Sequence, residues 1–247
     1  MSREVRVIAL GGIPELEEGD DLGALLVAAS QRVGGLEAGD VVVVAQKAVS
    51  KVEGRVVALE DVDPSERARE LAQGDDPRRV EVILRESREL LRARGSLLIT
   101  ETRHGFVCAS AGVDASNAKG PGTVILLPID PDASARRLRD DIREGTGVEV
   151  GVVVSDSFGR AWRQGTTDVA LGVAGLAPLL DLRGQRDSVG YELQATQIAV
   201  ADEIAGAAEL VMGKTDGIPA VIVRGVQVSG EGRGTDLLMP PDRDLFR

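Results

Sequence analysis

Apolar and polar positions alternate from Val5 to Leu10, which predicts a first strand. Gly11, Gly12, Ile13 and Pro14 then break it into a loop able to expose backbone amides. Leu22, Leu25, Leu26, Ala29 and Val33 recur at helical spacing, so residues 22–33 read as an amphipathic helix with Asp20 or Asp21 as its N-cap. After Asp40 the chain runs through consecutive valines as a buried strand, then turns polar at Gln46, Lys47, Ser50 and Lys51. Polar side chains at the end of such a strand commonly face a ligand crevice.

Residues 64–73 and 80–94 carry helical patterns dense in alternating charge, which suits i,i+4 pairing on solvated faces. Strand-like runs recur at residues 97–100, 106–109, 123–127 and 148–154, with a helix at 133–144 between the last two. The Ala-rich stretch 192–212 places Leu193, Val200, Ile204 and Val211 near one face and predicts the longest helix; residues 220–223 predict a further strand. Residues 236–247, Pro-interrupted and mixed in charge, read as an extended tail or an arm on a neighbouring subunit. Interleaved strands and helices fit an α/β or α+β architecture and exclude a helical bundle.

Composition narrows this picture. A chain of 247 residues can fill one large core or two modest ones sharing a cleft. Aromatic residues make up only 2% of it against 43% apolar residues, so the core has to be built from Val, Leu, Ile and Ala. The formal charge of −11 argues against a nucleic-acid partner, because phosphate backbones are bound through clustered Lys and Arg. A small anionic substrate stays compatible if a local basic pocket and metal ions hold it. Cys108 is the single cysteine, so no internal disulfide forms and a reducing cytoplasm fits. With no signal-like start and no run near the ~18 apolar residues a bilayer demands, a soluble cytoplasmic protein is expected.

Candidate chemistry centres on two acidic stretches, 111–117 and 153–160. Each places an aspartate, Asp114 or Asp156, where an apolar segment meets a polar turn. Carboxylates among small residues offer hard oxygens suited to Mg²⁺ or Mn²⁺ holding nucleotide phosphates. Asp114 and Asn117 also fit an Asx-turn or a helix cap. Gly213-Lys214-Thr215 is not a phosphate loop, because the glycine required upstream is missing and a helix, not a strand, precedes it. His104, the only histidine, reads as a solvated loop residue. Arg160, Trp162, Arg163, Arg183 and Arg186 form a basic-aromatic group that suits either anion recognition or a surface ion-pair network with Asp181 and Asp187.

Four blocks carry a resemblance: residues 44–55, 112–117, 155–163 and 201–213. In order and spacing they resemble the coenzyme F420:L-glutamate ligase family, from the first strand to about Gly225. The resemblance implies an α+β fold of mixed sheets and helices, a two-lobed subunit and an intertwined homodimer. Residues 1–247 would form one ligase unit without the C-terminal flavin-binding domain of some relatives. It implies a GTP-dependent amide ligase that adds L-glutamate to the deazaflavin precursor F420-0, and possible further γ-linked glutamates, through an acyl phosphate with release of GDP and phosphate.

The implied cofactors are two Mg²⁺ or Mn²⁺ ions and K⁺. By the same resemblance Asp114 and Asp156 hold one ion and Ser157 contributes to a second. GTP would meet Ile13, Pro14, Glu15, Leu16, Gln46, Lys51, Asn117, Met212, Gly213, Lys214, Thr215, Asp216, Gly217, Ile218 and Pro219. Gln46 stands where relatives can carry a small hydroxyl residue. Lys214 stands where some relatives present an oxygen ligand, so either the second ion is held differently or Lys214 contacts phosphate directly. Arg160 and Arg163 suit the carboxylates of glutamate or the phosphodiester of the precursor. The alternatives are a non-catalytic nucleotide- or deazaflavin-binding protein and a related ligase acting on another phosphorylated carboxylate. Asp114, Asp156 and Lys51 favour catalysis, since binding alone needs no pair of metal-directed carboxylates.

Overall fold

Val41, Val42, Val43 and Val44 are all buried, an arrangement that a strand covered on both faces permits. The computed structural model, which describes residues 4–118 and 120–245, sets them at the centre of a five-stranded mixed sheet. In chain order the first half contains β1 (Arg6–Ala9), α1 (Leu22–Gln31), β2 (Val41–Ala45), α2 (Gln46–Val52), β3 (Val56–Ala58), α3 (Glu66–Ala72), α4 (Pro77–Glu86), β4 (Ser87–Arg94) and β5 (Leu97–Thr102). The second half contains β6 (Val107–Ala109), β7 (Thr123–Ile125), α5 (Pro131–Thr146), β8 (Gly151–Arg160), β9 (Arg163–Ala174), β10 (Leu180–Asp181), β11 (Gln197–Ile198), α6 (Val200–Met212) and β12 (Ala220–Arg224). The fold is therefore mixed α+β.

The main sheet runs β1-β12-β2-β8-β9. β2 and β8 are parallel, β12 is antiparallel to β1 and β2, and β9 is antiparallel to β8. Period-two alternation assigns the faces. Val42, Val44, Val152, Val154 and Ile222 meet Leu26 of α1, Val49 of α2, and Leu138 and Ile142 of α5. Val41, Val43, Val153, Val221 and Val223 point the other way, onto Ala201, Ile204, Ala205 and Ala208 of α6. Each buried valine contributes about 1.5–3 kcal/mol relative to exposure, so these two layers dominate the apolar stabilisation. A third buried cluster joins Ala68 of α3, Val80 and Ile83 of α4, Leu98 of β5 and Val124 of β7.

The strand directions decide where a site is built. Ala45 pairs with Ser155, Val44 with Ala220, and Ala9 with Val221. The carboxyl ends of β1 and β2, the end of the parallel part of β8 at Ser155 and the amino end of β12 thus share one edge, the kind of place where open α/β sheets bind ligands. A β-bulge between the Val154–Gly172 and Ser155–Ala170 pairs precedes Asp156; bulges of this kind re-aim side chains.

Asp21 caps α1 by accepting the Ala24 amide at 2.9 Å, as the pattern predicts. Four readings are corrected. The second charged pattern stays helical only to Glu86; residues 87–94 are β4, in a hairpin with β5 that turns at Gly95 with φ +59°. Arg and Leu favour helix locally, but cross-strand backbone bonds to Leu97, Leu98 and Thr100 win. The Ala-rich helix begins at Val200, not residue 192, because the backbone of Leu193 is already bonded to Gly184 and Gln185 and residues 197–198 pair with β10. α5, with 16 residues, is longer than α6, with 13. The segment from Asp236 is not an extended tail. It forms 3₁₀ turns at Gly234–Leu237 and Pro241–Arg243, and the Gly234 amide donates to Asp132 at 2.8 Å; residues 246–247 lie outside the described residues. Among the described residues no helix is long and apolar enough to cross a membrane.

Candidate functional site

The shared sheet edge opens into a cavity of about 350 Å³ lined from four directions. Ile13, Pro14, Glu15 and Leu16 follow β1, and Gln46, Lys47 and Lys51 open α2. Asp156 and Ser157 leave the parallel part of β8, and Met212, Gly213, Lys214, Thr215, Gly217, Ile218 and Pro219 bridge α6 and β12. Asn117, left-handed at φ +57°, completes this set. Residues gathered in the sequence from four distant blocks therefore meet in one place. Asp216 and Asp114 do not line the cavity itself.

Lys47 and Lys51, one helical turn apart on α2, both face the cavity. Lys51 is ion-paired with Glu15. Lys47 donates to Asp114 at 2.6 Å and to the Ser116 hydroxyl at 2.6 Å. Gln46 is turned inward: both hydrogens of its amide go to Ser50 and the Leu126 carbonyl, each at 2.7 Å, so it can meet a ligand only through its carbonyl oxygen. Asp114 does form the Asx-type turn its sequence allows, accepting the Ser116 amide at 2.7 Å. Burial pushes the Asp114 carboxyl up, yet the Lys47 ammonium and the Ser116 hydrogen bonds outweigh it and hold the group below the usual carboxylate value.

Asp156 behaves oppositely. Burial raises its carboxyl to about 7, and the charges of Asp168 and Asp114 push the same way against a Ser157 backbone hydrogen bond and the charge of Lys47. Asp168 and Glu209 also line the cavity, and sequence reasoning missed both. Asp168 accepts from Ser155 at 2.8 Å and Ser157 at 2.5 Å, while Glu209 accepts its backbone amide at 3.0 Å. Burial raises the Asp168 carboxyl too, opposed by those serines. A lone acid within the apolar run of β9, and another on the Ala-rich face of α6, were the available signals. Lys214 donates to Ser157 and lies 3.8 Å from Glu209.

The donor set fits a divalent cation. Asp114, Asp156 and Ser157 offer hard oxygens, whereas the nearby Cys108 thiol is pushed up to about 12 by burial and offers no thiolate. Among the described residues no group of three or more His, Cys, Asp or Glu side chains forms a ready-made cage. The fit rests on the donor chemistry alone: hard oxygens are what Mg²⁺ or Mn²⁺ accept, commonly one or two carboxylates together with water and substrate phosphates.

The remaining candidates lie elsewhere. Arg160, Trp162 and Arg163 occupy the exposed tip of the β8–β9 hairpin, with Trp162 at φ +64°, and none lines the cavity. Arg183 is ion-paired with Asp181, and Arg186 donates to the Gly190 carbonyl at 3.4 Å, so these arginines serve their own exposed segment. His104 does lie in a turn, but it is half-buried rather than solvated. Its Nε2 faces the carbonyls of Pro128 and Ile129 at 2.9 and 3.0 Å, and its ring lies 5.9 Å from that of Phe106. Gly213 ends α6, which rules out the strand-to-helix geometry of a phosphate loop.

Comparison with known proteins joins this geometry to a family. Residues 12–225 match the model of the F420-0:Gamma-glutamyl ligase family. Coenzyme F420:L-glutamate ligase of Methanothermobacter thermautotrophicus is 44% identical over 98% of this chain and 99% of its own. The protein of the same name from Methanopyrus kandleri is 46% identical over 96% and 100%, and that from Methanocaldococcus jannaschii 44% identical over 99% and 98%. The match runs through every segment that lines the cavity, and the chain accordingly belongs to the F420-0:gamma-glutamyl ligase family and is a ligase.

Proposed function

We propose that this protein joins L-glutamate to the coenzyme F420 precursor F420-0 at the expense of GTP, releasing GDP and phosphate, with possible addition of further γ-linked glutamates. Joining a carboxylate to an amine in water is uphill, so the carboxylate oxygen first attacks the γ-phosphorus of GTP. The β–γ bridging bond breaks, GDP leaves, and an acyl phosphate remains. The glutamate amine attacks its carbonyl, phosphate departs, and the amine loses a proton to solvent. In-line positioning and charge neutralisation are the main demands of phosphoryl transfer.

The observation that carries this reading is the convergence of Lys47, Lys51, Asp156, Ser157 and the 213–219 loop on one cavity. Lys51 would leave Glu15 for a phosphate oxygen, as a point charge on a flexible stem. The backbone of residues 13–16 and the amide of Asn117 would seat the nucleotide. Asp114, Asp156 and Ser157 would hold Mg²⁺ or Mn²⁺, which when bound neutralises phosphate charge. Lys214, beside Ser157, would contact phosphate directly and supply part of the charge of a second ion. The exposed apolar side chains of Leu180, Val189 and Tyr191 offer surface to a second copy, in keeping with a homodimer.

The test is incubation of purified protein with F420-0, GTP, Mn²⁺, K⁺ and L-glutamate, with ATP in a parallel reaction, followed by mass spectrometry and phosphate release. Glutamyl-extended product formed with GTP and one phosphate per bond is expected. Absence of extended product, or extension without phosphate release, would overturn the assignment.

A further inference from the structure

Lys47 reaches from the first turn of α2 toward two carboxylates carried by different parts of the chain. Its ammonium lies 2.6 Å from Asp114 Oδ2 and 2.6 Å from Ser116 Oγ, and Ser116 Oγ in turn donates to the same carboxylate oxygen at 3.0 Å. The Lys47 side chain is only 18% exposed, although the Asp114 side chain is 45% exposed. The lysine charge also acts on Asp156, which has no ion pair of its own among the described residues. Lys47 is thus the resident positive charge of the Asp114–Asp156 pair.

That position conflicts with a metal ion. A divalent cation on Asp114 needs the oxygen lone pairs that the ammonium now occupies, and it would repel the ammonium at such short range. Lysine has a flexible four-carbon stem, and Lys47 shares its helix face with Lys51 above the same cavity, so displacement would carry its charge toward a bound polyanion.

We propose that Lys47 is an exchangeable internal cation: it neutralises Asp114 until a divalent ion enters, then moves to the phosphates of the nucleotide, so that metal and nucleotide strengthen each other's binding. The identity of the ligands rests on the function proposed above. Linkage makes the coupling reciprocal. In the ligand-free protein Lys47 acts on Asp114; once displaced it touches the nucleotide itself.

The test measures Mn²⁺ binding, by electron paramagnetic resonance of the free ion, to the full chain with and without a non-hydrolysable GTP analogue. For the wild type, Mn²⁺ alone should bind weakly and the analogue should tighten it. Lys47→Met should bind Mn²⁺ alone about tenfold more tightly than the wild type and show a coupling to the analogue smaller by a similar factor. Lys47→Arg, which keeps the ion pair, should behave as the wild type. If the methionine variant fails a melting check, Lys47→Gln takes its place. A merely structural lysine would weaken Mn²⁺ binding when removed, so equal or weaker binding of Mn²⁺ alone by the neutral variant overturns the proposal. Failure of the analogue to bind the wild type would instead remove the nucleotide reading, while the comparison with Mn²⁺ alone still decides the exchange.

Discussion

Ala45 and Ser155 stand opposite each other where β2 and β8 run parallel. The residues that follow, Gln46 and Lys47 at the start of α2 on one side and Asp156, still paired with β9, on the other, therefore line the same cavity. A cation-bearing helix start and a buried carboxylate are brought together by register alone. Because β12 is antiparallel to β2, the 213–219 loop arrives there as well.

Asp156→Ala should cost about 100-fold or more in kcat/KM for glutamate addition, since losing even an indirect partner of a metal ligand commonly costs 10–100-fold. The melting temperature should not fall, because the substitution removes a carboxylate whose burial is unfavourable. Steady-state kinetics beside a thermal melt would check both; undiminished turnover would take Asp156 out of the site.

The same group sets a pH dependence in metal-free protein. Its folded carboxyl titrates at about 7, above the ordinary unfolded carboxylate value, so between the two the native state holds more protons than the unfolded state. Stability conferred at low pH is accordingly lost as pH rises through that window. Urea titrations of chelated wild type and Asp156→Asn should show a shallower decline in the variant, and saturating Mn²⁺ should flatten the wild type. Parallel profiles would refute the assignment.

Lys51→Ala should raise the KM for GTP roughly tenfold or more, the range expected when a charge-assisted hydrogen bond is lost. The KM for glutamate should change less, because the lysine is assigned to phosphate. An unchanged GTP KM would place the nucleotide elsewhere.

Arg160→Ala and Arg163→Ala should leave the GTP KM unaltered, since both side chains lie at the β8–β9 tip and off the cavity. If they meet the phosphodiester of the precursor or the carboxylates of glutamate, the KM for those substrates alone should rise. A change confined to GTP would contradict the geometry.

Gly172→Ala should destabilise the fold by about 1–3 kcal/mol or more, the usual range for overpacking. A Cβ there would lie 2.1 Å from the Pro131 carbonyl oxygen, where α5 starts against β9. Equilibrium urea denaturation measures the loss; wild-type stability would mean that α5 can shift freely.

What the sequence alone determined was whatever repeats over short range or survives as a block. The valines at 41–44 announced a doubly covered strand, Asp21 announced its helix, and the segments around Asp114, Asp156 and Gly213 carried the family likeness. Pairing was not legible. Residues 87–94 have helical side chains but spend their backbone bonds on β5, and residues 192–199 look helical but fold back onto β10 and the segment after it. Only the tertiary structure decided that Asp168 of β9 and Glu209 of α6 join the cavity, and that Lys47 rests on Asp114. Periodicity is a property of neighbours along the chain, whereas strand order and the proximity of charges depend on long-range hydrogen bonds and burial that no single segment encodes.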